Sequence, residues 1–169
     1  MLAISTANVS WARSYARQAL SDLGAREMLV KAKAEKCHRL HFLQMAAEKA
    51  CKAYQVVNGG VEQAIMSLAV VLKVLPTLAR DFISRETPSR VVPGGLMTEI
   101  RKLALEIEVL APACVGGGAR QDKTEYPWLD TQGQVCTPRE FSFQSLDDNN
   151  RNLAFLIKLI RKASIAYAL

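Results

Sequence analysis

The sequence of 169 residues is long enough to bury the core of one domain, and we expect a single domain over residues 1–169. Hydrophobic residues make up 50% of the chain but aromatic residues only 7%, a composition typical of helical bundles. The formal net charge of +6 permits polyanion binding, but acidic and basic residues are interleaved, so the charge does not indicate a dedicated nucleic-acid-binding protein.

The longest apolar stretch without a charge, residues 64–72, is too short to cross a bilayer. The first residues lack the basic cluster and apolar core of a secretory signal, since Arg13 and Arg17 follow early. We therefore expect a cytoplasmic protein with no membrane partner. The cysteines at positions 37, 51, 114 and 136 form no CxxC motif, so reduced thiols are expected.

Two helices are predicted in the first third of the chain. The first starts after Ser10, a residue suited to the N-cap, and Gly24 weakens it without necessarily ending it. Its apolar seam comprises Trp11, Tyr15, Ala19 and Leu23. The second ends at residues 58–60, Asn-Gly-Gly, because glycine favours helix C-termini. Its seam comprises Leu40, Leu43, Ala47, Ala50, Tyr54 and Val57.

Two further seams occupy residues 61–110. We expect Pro76 to kink or split the third helix, since proline removes a backbone donor. This third seam comprises Val61, Ile65, Leu68, Leu72, Leu75, Ala79 and Phe82. A turn around residues 87–95 separates it from a fourth helix that ends at Pro112. The fourth seam comprises Leu96, Ile100, Leu103, Ile107 and Leu110.

Residues 111–147 show no sustained period and are predicted to form a long irregular excursion before the last helix. Their three glycines at 116–118 lack the Lys-Ser/Thr ending of a P-loop. The cluster at 147–149, Asp-Asp-Asn, can cap the last helix. The seam of that helix comprises Leu153, Leu156, Ile160, Ala163 and Tyr167. Because each stripe must be buried against another, we predict an all-α, up-and-down bundle of four or five helices.

Residues 39–54 read RLHFLQMAAEKACKAY and resemble the "HF..Q.A.EKA.KA" signature of HEPN domains, the higher-eukaryote and prokaryote nucleotide-binding family. Residues 19–29 also resemble that family's first helix. The resemblance implies a HEPN-like bundle that dimerises and binds RNA, a nucleotide or a partner protein of the nucleotidyltransferase type. It also implies a setting in bacterial defence or a toxin–antitoxin system.

Many members of that family are metal-independent ribonucleases, in which a histidine follows an arginine by four to six residues. His38 and His41 are the only histidines here, and no arginine precedes either at that interval. We therefore expect no catalytic residues and no cofactor, and favour a binding or assembly protein. One alternative is a displaced nuclease site that uses His38 or His41 with Arg39 and Glu48. Another is a plain helical scaffold.

The second predicted helix carries the candidate ligand or dimer face. It comprises Arg39, His41, Met45, Glu48 and Lys52, of which the last four cluster opposite the apolar seam at 100° per residue. The competing interpretation is an ordinary Glu48–Lys52 ion pair on a solvated face. Cys37 and His41 could offer two metal ligands but lack a third, so no metal site is predicted.

The irregular segment carries a candidate loop lid made of Glu125, Tyr126 and Trp128. Two large aromatic side chains in a polar loop are costly to leave in water, so something should cover them. The simpler interpretation is that they pack back across the bundle, with Phe141 and Phe143 covering another part of the core. The alternative is a ligand cage.

Overall fold

The computed structural model describes residues 6–67, 69–88, 91–111, 124, 127–129 and 132–169. Over these residues the chain forms six α-helices, a short 3-10 turn and a two-stranded antiparallel hairpin, so the predicted all-α fold is confirmed. The elements are α1 (Thr6–Lys31), α2 (Lys36–Gly59), α3 (Val61–Met66), α4 (Val70–Glu86), α5 (Gly94–Glu108), β1 (Trp128–Leu129), β2 (Val135–Cys136), the 3-10 turn Gln144–Leu146 and α6 (Arg151–Ala168).

Helices that follow each other in the chain run in opposite directions. Ala12 near the start of α1 packs with Val56 near the end of α2, and the Asp22 carboxylate lies 2.5 Å from the Lys49 ammonium midway along the pair. The backbone N–H of Leu72 near the start of α4 donates to Glu108 at the end of α5. These contacts give the bundle its up-and-down order.

α6 returns along α1 and closes the bundle. The Arg13 guanidinium near the start of α1 donates to the carbonyl of Leu169, and the Glu27 carboxylate near the end of α1 lies 2.6 Å from Arg161. The main core is built from α1, α2, α4, α5 and α6. Its largest fully buried side chains are Leu23, Leu40, Leu43, Leu75, Leu78, Ile100, Ile107, Leu110, Leu146, Leu153, Leu156 and Ile160. No described helix is long and apolar enough to cross a membrane.

α1 differs from its prediction in its start and in its buried face. It begins at Thr6, so Ser10 lies inside the helix and is not its N-cap. Trp11 is 45% exposed, whereas Ala12 and Ala16 are buried. The predicted seam was therefore wrong at its first position, because the close contact with α2 accommodates small side chains and excludes the indole. Gly24 lies within α1 without ending it.

The third predicted helix is split, but not at its proline. α3 ends at Met66 and α4 begins at Val70, and Ala69 between them has a left-handed φ of 53°. Pro76 lies inside α4. Its missing N–H leaves the Leu72 carbonyl without its helical partner, and that part of α4 borders an open groove that water can enter. Ile65 is 53% exposed, contrary to its place in the predicted seam.

The fourth and last predicted helices agree closely with α5 and α6. The N-cap of α6 is Asn150, one residue beyond the predicted cluster at 147–149. Its Oδ1 accepts from the N–H groups of Asn152 and Leu153, at 2.9 and 3.3 Å. The Asp147 carboxylate instead accepts from the Asn149 N–H at 2.9 Å, and this bond lowers the pKa of Asp147.

Candidate anion-binding groove

A surface groove, here named the α4 groove, runs along α4 between α2 on one side and α5 on the other. It consists of two adjoining depressions of about 300 and about 220 Å³ that share Lys73 and Thr77. The first is lined by Leu72, Lys73, Pro76, Thr77, Arg80, Met97 and Arg101. The second is lined by Tyr54, Gln55, Asn58, Gly59, Gln63, Lys73, Val74 and Thr77.

The α4 groove is positively charged. Lys73, Thr77 and Arg80 project from one side of α4, because steps of four and three residues return to nearly the same angle on a helix. Arg101 contributes a third cation from α5. Over the described part of the chain, neither Lys73 nor Arg101 has a carboxylate within 4.0 Å. Within the described residues, no ion pair neutralises these two cations.

A hydrogen-bonded pair lies at one edge of the α4 groove. The Tyr54 hydroxyl donates to the Asp81 carboxylate at 2.6 Å, and the other oxygen of Asp81 lies 3.6 Å from Nε of Arg80. Burial, and then the hydrogen bond and charge of Asp81, raise the pKa of Tyr54 to about 12. Tyr54 thus remains a neutral hydrogen-bond donor at physiological pH.

The described lining of the α4 groove is rich in groups that bind anions. Its described lining has ammonium, guanidinium, hydroxyl and amide groups but no histidine, cysteine or carboxylate. His41 precedes Tyr54 by 13 positions on α2, which places it about 20 Å away along the helix axis. Among the described residues that line it, none is a histidine that titrates near neutral pH.

Two residues of the candidate face on α2, Glu48 and Lys52, form an ion pair. The Lys52 ammonium lies 2.9 Å from Glu48, as the ion-pair interpretation requires, and Gln44 donates to the other Glu48 oxygen at 3.1 Å. His41 and Met45 lie on the same side of α2 and are half-buried. The face is thus partly covered by the rest of the fold and is not a fully solvated helix surface.

Arg39 does not belong to that face, because two positions along a helix turn its side chain away from His41. Its guanidinium and that of Arg26 both donate to the carboxylate of Asp148. Nearby, Lys36 donates to the carbonyls of Ser142 and Phe143, at 2.7 and 2.9 Å. Arg39 therefore fastens the segment before α6 to the α1–α2 pair.

Cys51 is buried in the hydrophobic core, within electrostatic reach of Glu48 and Glu108. Burial first, and then the negative charges of both carboxylates, raise the pKa of the Cys51 thiol well above its usual value. A thiol held in its neutral form is a poor nucleophile. Among the residues that the structure describes, no group of three or more His, Cys, Asp or Glu side chains is placed to hold a metal ion.

The candidate loop lid is described only at Trp128, since Glu125 and Tyr126 lie outside the described residues. Trp128 is 9% exposed and its ring meets Phe141 edge-on at 5.3 Å. Phe141 in turn meets Phe143 edge-on at 4.8 Å. The three rings form one apolar cluster against the bundle.

The sequence reasoning missed the α4 groove. Its cations come from α4 and α5 and form no dense run, so a search for basic clusters does not find them. The spacing of Lys73, Thr77 and Arg80 could have indicated that they share one side of a helix.

Comparison with protein-family models, with curated proteins and with solved structures gives no match for the chain.

Proposed function

We propose that the chain is a non-catalytic, HEPN-like binding domain that holds a phosphate-bearing ligand, RNA or a nucleotide, in the α4 groove. The observation that carries the proposal is the convergence of Lys73, Arg80 and Arg101 on one open groove. Arginine offers a planar fork of donors to phosphate oxygens, and lysine adds a compact point charge. Thr77 and Tyr54 add hydroxyl groups along the same surface.

We propose a non-catalytic domain because the candidate nuclease residues are engaged in other contacts. Arg39 is engaged with Asp148, and Glu48 with Lys52 and Gln44, on different sides of α2. A displaced site needs an arginine beside its histidine to stabilise the charge that develops on phosphorus. RNA cleavage that is lost in His41→Ala would support such a site and contradict the binding proposal.

Assembly as a homodimer is part of the proposal. Trp11, Ile65 and Met66 are 45%, 53% and 79% exposed, and Trp11 borders a surface depression together with Val61 of α3. Large apolar side chains on neighbouring elements are typical of an interface between subunits. Trp11→Ser combined with Met66→Ser should convert a dimer to a monomer in light scattering. A partner protein of the nucleotidyltransferase type is proposed from the family resemblance.

The test of ligand binding is a fluorescence anisotropy titration with a labelled single-stranded RNA of about 12 nucleotides, a length that spans several phosphate contacts. Three phosphate contacts predict that log K falls with log salt concentration with a slope of roughly −2. Lys73→Glu and Arg101→Glu should each weaken binding about tenfold at low salt. Unlabelled ATP as a competitor distinguishes a nucleotide site from an RNA site.

Lys102→Glu is the matched control, because Lys102 is an exposed neighbour of Arg101 that does not line the α4 groove. It changes the net charge by the same amount. Equal losses in Lys102→Glu and Arg101→Glu would show that binding follows total charge, and would contradict a defined groove. Binding that does not respond to salt would contradict a phosphate ligand.

A further inference from the structure

A second groove, here named the α6 groove, lies between the C-terminal half of α4 and the middle of α6. Its volume is about 310 Å³, and its apolar floor is formed by Phe82, Ile83, Phe155 and Leu159. Lys158 and Lys162 stand at its rim. Phe82 lies on the side of α4 opposite Lys73, and the α4 and α6 grooves share no lining residue.

The apolar surface continues beyond the groove along α6. Phe155 is 38% exposed and Ile165 is 47% exposed. Phe155, Lys158, Lys162 and Ile165 follow one another at steps of three, four and three, which places them on one outward stripe of α6. In this stripe two apolar side chains flank two cationic ones, and its length of about three turns suits contact with another helix.

The charge of α6 restricts what can cover this stripe. The helix contains Arg151, Lys158, Arg161 and Lys162 and no acidic residue. Arg161 and Lys162 are paired with Glu27 and Glu86, each at 2.6 Å. Lys158 and Arg151 have no carboxylate within 4.0 Å among the described residues. The outward stripe therefore presents uncompensated positive charge beside an apolar groove.

We propose that the α6 groove binds an amphipathic helix of a partner protein that carries acidic residues beside its apolar stripe. Apolar side chains of that helix at positions i, i+3 or i+4, and i+7 would enter between Phe82 and Phe155. Its carboxylates would pair with Lys158 and Arg151, which gives the contact its orientation and specificity. This binding is independent of the phosphate ligand proposed for the α4 groove.

The charges and the shape of the groove disfavour two other occupants. A second copy of α6 would place cationic stripes against each other, which is repulsive at close range. A lipid surface favours protruding apolar side chains, whereas this site is concave and has the Glu86 carboxylate at its rim. A protruding apolar side chain from an acidic helix fits both the shape and the charge.

The experiment is a selection from a displayed library of peptides of about 16 residues, which form about four helical turns. The full chain is the bait, and its Phe155→Ser, Lys158→Glu double variant is the counter-selection. We expect enriched sequences with apolar residues at helical spacing and a net negative charge. For an enriched peptide, each single variant should raise Kd about tenfold, and added salt should weaken binding. The matched control Lys102→Glu should leave Kd unchanged within about twofold.

Several outcomes would overturn the proposal. These are a selection that enriches no acidic helical sequence, enriched peptides that bind the Lys158→Glu variant equally well, and a loss of similar size in Lys102→Glu. Sedimentation with vesicles containing phosphatidylglycerol that is abolished by Phe155→Ser would assign the groove to a lipid surface. A dimer that dissociates in Phe155→Ser would assign it to a second copy of the chain. Thermal unfolding of each variant shows that the fold is retained.

Discussion

The carboxylate of Glu108, at the end of α5, accepts the backbone N–H of Leu72 in the first turn of α4 at 3.0 Å. α4 begins after the left-handed Ala69, which offers no side chain to cap the helix. The first N–H groups of a helix have no partner within it, and a negative charge there also complements the helix dipole. Glu108 therefore caps α4 from another helix.

Glu108→Ala should lower the free energy of unfolding by about 1–3 kcal/mol, since it removes a buried acceptor and leaves a helix end uncapped. Urea denaturation measures this loss. Hydrogen exchange should accelerate first at the amides of residues 70–73. Glu106→Ala is the control, because Glu106 lies on the same helix but is only half-buried. Unchanged exchange at these amides in Glu108→Ala would contradict the capping role.

Asp148→Ala should destabilise the chain by about 2–4 kcal/mol, because it removes the carboxylate shared by Arg26 and Arg39. The side chain of Arg26 is only 9% exposed, so its charge would remain buried without a counter-ion. Replacing Arg26 by Met in the same variant should restore part of the stability. Arg139→Gln removes an exposed ion pair with Glu35 and should cost less than about 1 kcal/mol.

If urea denaturation gave equal losses of stability for Asp148→Ala and Arg139→Gln, Asp148 would contribute no more to stability than a surface charge. Asp148→Asn separates shape from charge, since the amide keeps one acceptor oxygen but carries no negative charge. We expect its stability to lie between those of Asp148→Ala and the native chain.

Tyr54 should ionise late in an alkaline titration. Its pKa in the folded chain is about 12, against an ordinary value of 10. The stability that depends on neutral Tyr54 is therefore fully present below pH 10 and is lost as pH rises from 10 towards 12. Absorbance at 295 nm should show a late phase that is missing in Tyr54→Phe. Asp81→Asn should move that phase to lower pH, and an unmoved phase would contradict the role of Asp81.

The thiol of Cys51 should be almost unreactive in the folded chain. Burial and the neighbouring carboxylates raise its pKa, so little thiolate exists at pH 8. A variant with Cys114→Ser and Cys136→Ser leaves the two buried thiols of Cys37 and Cys51. Ellman's reagent should react with this variant only at the rate of unfolding, and rapidly in denaturant. Fast labelling of Cys51 in the native variant, identified by mass spectrometry, would contradict its burial.

The sequence predicts α5 and α6 well because their apolar residues alternate regularly with charged ones along whole helices. It predicts the start of α1 poorly, because hydrophobicity alone ranks Trp11 above Ala12, whereas the contact with α2 selects the smaller residue. After the break at Ala69, the start of α4 is capped by a carboxylate 36 positions beyond Leu72, which no local pattern contains.

The candidate sites also differ in how well the sequence predicts them. The Glu48–Lys52 pair follows from spacing within one helix and is present. The separation of Arg39 from His41 also follows from helical geometry, since the two positions differ by about 200°. The α4 groove does not, because Arg101 reaches Lys73 only through the packing of α5 on α4. Surface sites built from several helices leave no motif in the sequence.

The shared carboxylate of Asp148 makes the N-terminal helix pair dependent on the far end of the chain. Arg26 and Arg39 approach the same point from α1 and α2, so in a fragment without Asp148 their like charges would repel each other. The α1–α2 pair thus lacks the counter-ion of its two arginines until the residues before α6 pack against it. We therefore expect the first two helices alone to form a less stable pair than the same helices in the whole bundle.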